Sequence, residues 1–334
     1  MISVDPCQIE QVRLSLRGMV QDYLLSPEYS INLIDFGFPR RTDPVTRRRY
    51  WDVESVSLRF HVTKKYTLHE LEALKLKVLP RRIGQFETDV IEAEYSVPLL
   101  MEVSSGPCTA PRARLCGGLG ISAFPDIHGT LGGIVRDRQT GAPMILSNWH
   151  VLYATRNART GQPIYQPILR SGKPQTAIVA RATRERLSAP TPGSLSLDVA
   201  VAALTDARPE RWENLQLEIG GVNGVARARL GTQVVKSGLT SGRTYGVVTG
   251  IEGFGKMTYQ GNWLRLIERI VTISRYPLDR STALVSMPGD SGAWWLDAAT
   301  RQAIAVHYAG LRDGTRAQGM DMQAVLDALE VDLA

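Results

Sequence analysis

From about residue 120 to residue 320 the chain is cut into short apolar runs: GTLGGIV, APMILSNWHVL, LDVAVAAL, TQVVKSGL, YGVVTGI, WLRLIERIVTI, ALVSM, SGAWWL and QAIAVHYAG. Gly, Asn and Pro punctuate them. Many short apolar runs at near-regular spacing read as tightly connected strands, which points to an all-β barrel or sandwich. Only MQAVLDALEV, near the C-terminus, returns to helical spacing, so a helix is expected over about 321–331. No repeat of solenoid or propeller period interrupts this pattern.

The first hundred residues have a different texture. Ile9, Val12, Leu14, Leu16, Val20, Leu24 and Leu25 fall closer to helical than to alternating spacing, so residues 8–25 read as an amphipathic helix. INLIDFGFPR is a β-rich run, and a basic loop with Arg40, Arg41, Arg47, Arg48 and Arg49 follows it. In SVSLRFHVTKK, Val56, Leu58, Phe60 and Val62 alternate with polar residues, the pattern of a half-buried strand that leaves His61 at the surface. Thr67 and Glu70 form a capping box for a short helix carrying an exposed His69, and TDVIEAEY reads as another strand. Pro, Gly and Ser then concentrate between Val97 and Gly120, a linker signature. The expected division is a small α+β N-terminal domain over 1–108 and a β-rich domain over 109–334.

Composition bounds the function. With 43% hydrophobic and 22% charged residues the chain is an ordinary globular protein, not a disordered one. Its 39 Lys and Arg exceed 33 Asp and Glu for a net charge of +6, and only 7 of the cations are Lys. Arginines run from Arg13 to Arg316 without a long basic block, so the Arg40–Arg49 cluster reads as a solvated loop and no nucleic-acid partner is expected. No stretch approaches the ~20 apolar residues of a membrane helix. MISVDPCQIEQ has no apolar h-region, and Cys7, Cys108 and Cys116 are odd in number without metal-like spacing. A cytoplasmic protein with reduced thiols and no metal or cofactor is expected, although the sequence leaves a Cys108–Cys116 bridge open.

Three segments carry chemistry together. His150 follows the apolar run ending in LSNW, Asp198 heads LDVAV, and Ser291 sits in the turn PGDSG. A serine hydroxyl needs an imidazole to take its proton, and the imidazole needs a carboxylate to fix its tautomer. The glycines flanking Asp290 and Ser291 let a tight turn aim the backbone N–H groups of Gly289 and Ser291 at one point, an oxyanion hole. Each segment alone is commonplace. The order His, Asp, Ser within an all-β region selects the double-barrel arrangement over the α/β-hydrolase and subtilisin orders.

On these residues the stretch from Gly117 to Gly310 resembles the chymotrypsin-like (trypsin-fold) serine peptidases, in particular bacterial and plant intracellular members of the Narrow Leaf 1 type. GTLGGIVRDRQTGAPMILSNWHVL looks like the first-barrel segment of that type, which commonly has Asn where Trp149 stands; VVKSGLTSGRTYGVVTG looks like its strand pair opening the second barrel. The resemblance implies a mainly β, chymotrypsin-type double barrel with a C-terminal helix. Its first barrel covers about 117–225 and its second about 226–320. It implies a serine endopeptidase acting on protein or peptide substrates, with His150, Asp198 and Ser291 as triad. In secreted relatives the aspartate matching Asp290 pairs with a newly cut N-terminus; here internal donors, an arginine or backbone amides, are expected instead.

The strand IAVHYAG is similar to the pocket strand of glutamyl endopeptidases, in which a histidine helps bind the acidic side chain. That likeness places His307, Tyr308, Ala309 and Gly310 in the substrate pocket. A donor imidazole there favours Glu or Asp, while the absence of an acid around Val285 to Met287 disfavours Lys and Arg. A small or apolar preference stays open, as does a regulatory partner, a homo-oligomer or the N-terminal unit acting as a gate. The rival reading is a catalytically silent interaction module on the same fold.

Overall fold

The computed structural model describes residues 6–97, 108–171, 177–187, 196–207, 209–278 and 283–334. Helix α1 (Pro6–Met19) passes into a π-helical turn over Val20–Leu24. Val12, Leu16, Met19 and Leu24 form its buried stripe, as the helical spacing requires. Strands β1 (Ile31–Gly37) and β2 (Ser57–Val62), helix α2 (Leu68–Ala73) and strands β3 (Phe86–Glu92) and β4 (Tyr95–Ser96) follow. The capping box of α2 is formed: Thr67 Oγ1 accepts from the Glu70 N–H, and the Glu70 carboxylate accepts from the Thr67 N–H at 2.8 Å.

Strand β2 departs from its half-buried pattern, because all six of its residues are buried. Leu58, Phe60 and Val62 enter the core. Arg59 and His61 face the Asp35 carboxylate of β1 instead of water, which corrects the expectation of a surface His61. Arg59 Nε donates to Asp35 Oδ1 at 2.6 Å, and Thr272 Oγ1 donates to Asp35 Oδ2 at 2.7 Å. Alternation shows that a strand has two faces; it does not show what covers the second one. His69 is exposed, as expected.

The first barrel uses β5 (Gly120–Phe124), β6 (Ile127–Thr130), β7 (Gly133–Asp137), β8 (Pro143–Ser147), the single turn α3 (Trp149–Leu152), β9 (Pro163–Gln166), β10 (Ala177–Glu185) and β11 (Ala200–Leu204). Its strands lie in the order β6-β5-β9-β10-β11-β8-β7. The second barrel uses β12 (Gln233–Gly238), β13 (Gly242–Tyr259), β14 (Trp263–Ser274), β15 (Trp294–Asp297), β16 (Ala303–Leu311) and β17 (Arg316–Asp321). Here the order β12-β15-β16-β17-β14-β13 closes, because β13 pairs back onto β12. Helix α4 (Met322–Leu329), capped by Asp321, leads to β18 (Val331–Leu333), which pairs with β7 and ties the C-terminus to the first barrel. The result is a mainly β double barrel with a C-terminal helix. Cys108 and Cys116 are buried and free, so no bridge joins them.

The 18-residue β13 does two jobs. Its first part closes the second barrel through Gly242–Val247, and its bent continuation pairs with β1 from Gly250 to Gly255. The sheet therefore runs on from the barrel through β1, β2 and β3. Gly250 is required at this seam, since a Cβ there would collide with the Arg59 guanidinium and the Asp35 carboxylate. Trp294 and Trp295, neighbours on β15, are fully buried in different cores because successive strand side chains point to opposite faces.

Candidate active site

Pairing of β8 with β11 sets Ser147 opposite Ala200, which brings the residues just after one strand against those just before the other. His150 and Asp198 meet there. His150 Nδ1 lies 2.6 Å from Asp198 Oδ2, and the His150 backbone N–H donates to Oδ1 at 3.1 Å. Tyr259 OH, at the end of β13, donates to Oδ2 at 2.8 Å, and Asn148 Nδ2 holds the Asp198 carbonyl at 2.7 Å. Burial, with the Asp198 charge beside it, pushes the Tyr259 phenol well above its ordinary value, so it remains a donor. With Nδ1 as the protonated nitrogen facing the carboxylate, Nε2 carries the lone pair. Nε2 is buried and has no hydrogen-bond partner among the described residues. Trp149 backs the imidazole-bearing turn, packing on Trp263 (centroids 5.1 Å apart) and edge-on to Tyr259 (6.2 Å).

Ser291 occupies a turn that only glycine allows on either side. Gly289 and Gly292 have φ of +98° and +96°, and a Cβ on either would strike Thr240 Oγ1 or Ser147 Oγ respectively. Thr130 of the first barrel fastens this turn: its N–H donates to the Ser291 carbonyl at 2.7 Å and its hydroxyl to the Gly289 carbonyl at 2.9 Å. Neighbouring Gly129 is flanked by Val151 of α3 and the Ser291 carbonyl, so the histidine turn and the serine turn border one glycine. The N–H groups of Gly289 and Ser291 donate no hydrogen bond to a described residue.

Asp290 points inward and is fully buried. Lys236 Nζ meets its Oδ2 at 2.8 Å, Ser241 Oγ donates to the same oxygen at 2.6 Å, and the N–H groups of Met287, Thr240 and Ser241 complete the shell. Burial pushes this carboxyl up, but the Lys236 ammonium more than offsets that and holds it below the usual carboxylate range. Backbone amides were among the expected donors; the cation is a lysine where arginine was expected.

A cavity of about 380 Å³ opens beside Ser291, with His307, Ala309 and Gly310 on one wall and Ser286 and Met287 on another. None of its described lining residues is acidic, and Arg312 is among them. His307 is 3% exposed, lies edge-on to Trp295, and keeps Nδ1 without a partner among the described residues. Burial, reinforced by the Lys236 charge, lowers its pKa to about 3, so the ring is neutral near pH 7. Its one N–H, on Nε2, is taken by the Gln318 backbone carbonyl, so Nδ1 carries a lone pair and donates only when the ring is protonated. Tyr308 does not line the cavity: one step along β16 it points into the other core, where its hydroxyl donates to Gln318 Oε1 at 2.7 Å.

No family model matches the chain, and no curated protein matches it. Solved structures do. A Nocardiopsis protease is 20% identical with a TM-score of 0.47, covering 66% of this chain and 99% of its own. Protease A of Thermobifida fusca is 19% identical with a TM-score of 0.46, over 66% and 99%. A glutamic acid specific serine protease, described as using a novel histidine triad in substrate binding, is 20% identical with a TM-score of 0.46, over 66% and 100%. At these values the likeness concerns the course of the chain alone. What this site can do has to be read from its own side chains.

Of the residues singled out from sequence, His150 and Asp198 are in contact, and His307, Ala309 and Gly310 share the cavity with Ser291. The Ser291 carbonyl borders the same Gly129 as Val151 of the histidine turn, without a hydrogen bond from Ser291 to His150. Sequence reasoning missed Tyr259, Lys236 and Thr130. Lys236 left a signal, a lone cation inside the apolar run TQVVKSGL, which needs a buried partner. Tyr259 left none, since only the length of β13 carries it to Asp198.

Proposed function

We propose that the protein is a serine endopeptidase. The observation that carries this reading is the buried Asp198–His150 pair with Nε2 open, beside a serine in a glycine-flanked turn. In this reading Ser291 Oγ attacks the carbonyl carbon of a peptide bond while its proton passes to His150 Nε2. The negative oxygen is met by the free N–H groups of Gly289 and Ser291, a contribution typically worth ~10²–10³ in rate per donor. Collapse breaks the C–N bond, and the leaving amine takes the proton from His150. Water then repeats the sequence on the acyl-enzyme and releases Ser291 and a carboxylic acid. Asp198 orients the imidazole and stabilises it when protonated. Lys236 acts through Asp290 as a positioning residue, doing from inside the chain what a new N-terminus does in zymogen-type relatives.

The cavity supports Glu or Asp before the cut bond. Arg312 supplies positive charge, no described lining residue would repel a carboxylate, and His307 Nδ1 becomes a donor once the ring takes up a proton. Binding such a side chain would draw a proton onto His307. No helix among the described residues is long and apolar enough to cross a membrane, and we place the protein in the cytoplasm acting on protein segments.

The test is a peptide-library cleavage profile of the wild type beside Ser291→Ala and His307→Ala. Cleavage after Glu or Asp, lost in the first variant and broadened in the second, is the expected result. Cleavage after small or apolar residues that His307→Ala leaves unchanged would overturn the pocket assignment. No cleavage by folded protein would leave the silent interaction module standing.

A further inference from the structure

Strand β16, which walls the cavity, has two edges. Along one, β17 pairs with it from Ala305 opposite Asp321 to Gly310 opposite Ala317. Along the other, β15 reaches only as far as Trp294 opposite Val306. His307 then exchanges backbone hydrogen bonds with the Gly292 N–H and the Ala293 carbonyl, at the foot of the Ser291 turn. Past that point the barrel leaves the edge to others. An extended polypeptide that presents a carbonyl to Ser291 has this edge to run along, and adding itself as an antiparallel strand satisfies its backbone groups there.

The edge already has an occupant. Ser96 and Tyr95 of β4 pair antiparallel with Gly310 and Leu311. Since β17 holds the opposite edge at Gly310, β4 lies on the substrate side. Ser96 and Val97 line the same cavity as Ser291 and His307. The ladder is only two residues long, and its hold comes from behind: Tyr95 OH lies 3.2 Å from His61 Nδ1, and His61 Nε2 lies 3.1 Å from the buried Asp35. A tethered strand needs few contacts to compete, because its local concentration is high whatever the substrate concentration.

We infer that Tyr95–Val97 is a resident, substrate-like strand on the acyl side of the site, anchored by the Tyr95–His61–Asp35 network, and that an extended polypeptide substrate must displace it. A small acyl donor that reaches Ser291 without using the edge does not. The N-terminal segment thereby sets which substrates enter, favouring unfolded or extended chains that pair over several residues. This inference rests on the peptidase reading above.

The experiment compares two substrates on the full chain: a single-residue ester and a peptide with four residues before the cut bond. Tyr95→Ala should raise kcat/KM for the peptide at least ten-fold and change that for the ester less than two-fold. Tyr95→Phe, which keeps the ring and removes only the hydroxyl, should give a smaller rise of the same kind. The converse is a lock: Tyr95→Cys with Leu311→Cys, oxidised, should lower peptide turnover at least ten-fold, and a reductant should restore it. Parallel changes in both substrates, or a lock without effect, would overturn the inference. If a fluorophosphonate does not label wild-type Ser291, the peptidase reading fails by itself. The strand is then tested by binding of a fluorescent extended peptide to Ser291→Ala. Ten-fold tighter binding with Tyr95→Ala added supports it; unchanged binding overturns it.

Discussion

Two buried aspartate–histidine pairs sit among the described residues, built from the same residue types and left in opposite states. Around Asp35 every valence is used: Arg59 forks onto the carboxylate, His61 binds it through Nε2, and His61 Nδ1 meets Tyr95 OH. Around Asp198 the carboxylate meets only neutral donors from Tyr259 and the His150 backbone besides the imidazole, and His150 Nε2 has no partner among the described residues. Burial raises the Asp35 carboxyl, but Arg59 and His61 pull it well below the usual range, while burial lowers the His61 pKa from its ordinary value. The first pair is a closed structural joint. The second is unfinished, and an unfinished buried polar group is what chemistry requires.

Asp198→Asn breaks the open pair and should lower kcat by about 10⁴ by stabilising the wrong imidazole tautomer. His61→Gln should leave ester turnover within two-fold, lower Tm, and raise peptide turnover in the same sense as Tyr95→Phe, because it loosens the Tyr95 anchor. Arg59→Met strands the Asp35 charge and should cost about 3–5 kcal/mol in urea unfolding. The remaining folded protein should still turn over the ester. Lys236→Met strands Asp290 at a similar cost, but there the ester rate should also fall by about 10²–10³, because the turn that aims the Gly289 and Ser291 N–H groups loses its anchor.

A smaller effect is read from pH. The pKa of His307 is about 3 in the folded chain, against ~6.5 when unfolded. Below pH 6.5 the unfolded chain takes up a proton that the folded chain does not, so this contribution to stability is complete above 6.5 and drains as the pH falls toward 3. Between pH 6.5 and 5 the loss is about 1.5 kcal/mol. The unfolding free energy lost between the two pH values, read from denaturant titrations, should be larger in wild type than in His307→Leu by that amount. Smallest of all, Tyr259→Phe removes one donor from Asp198 and should lower kcat about five- to ten-fold, roughly 1–1.5 kcal/mol.

The same contrast explains what could be read from the sequence. Short apolar runs, the Thr67–Glu70 capping box and the glycines about Ser291 are local patterns, and local patterns survive into the fold. The burial of His61 was not legible, because its partners Asp35 and Tyr95 lie on other strands, and Thr272 of β14 reaches the same Asp35 from more than two hundred residues away. Tyr308 was grouped with His307 by adjacency, whereas a strand sends neighbours to opposite faces. The lysine on Asp290 was half legible: the need for an internal donor could be stated, but its identity depended on which strand closes the second barrel.

The most direct test is labelling by a small fluorophosphonate, which needs only Ser291, His150 and the backbone N–H groups and does not need the edge held by Tyr95 and Ser96. Stoichiometric labelling mapped to Ser291, absent in Ser291→Ala and at least 10³-fold slower in His150→Ala, is the expected result. Labelling that persists in Ser291→Ala, or folded wild-type protein that never labels, would contradict the assignment of Ser291 as nucleophile.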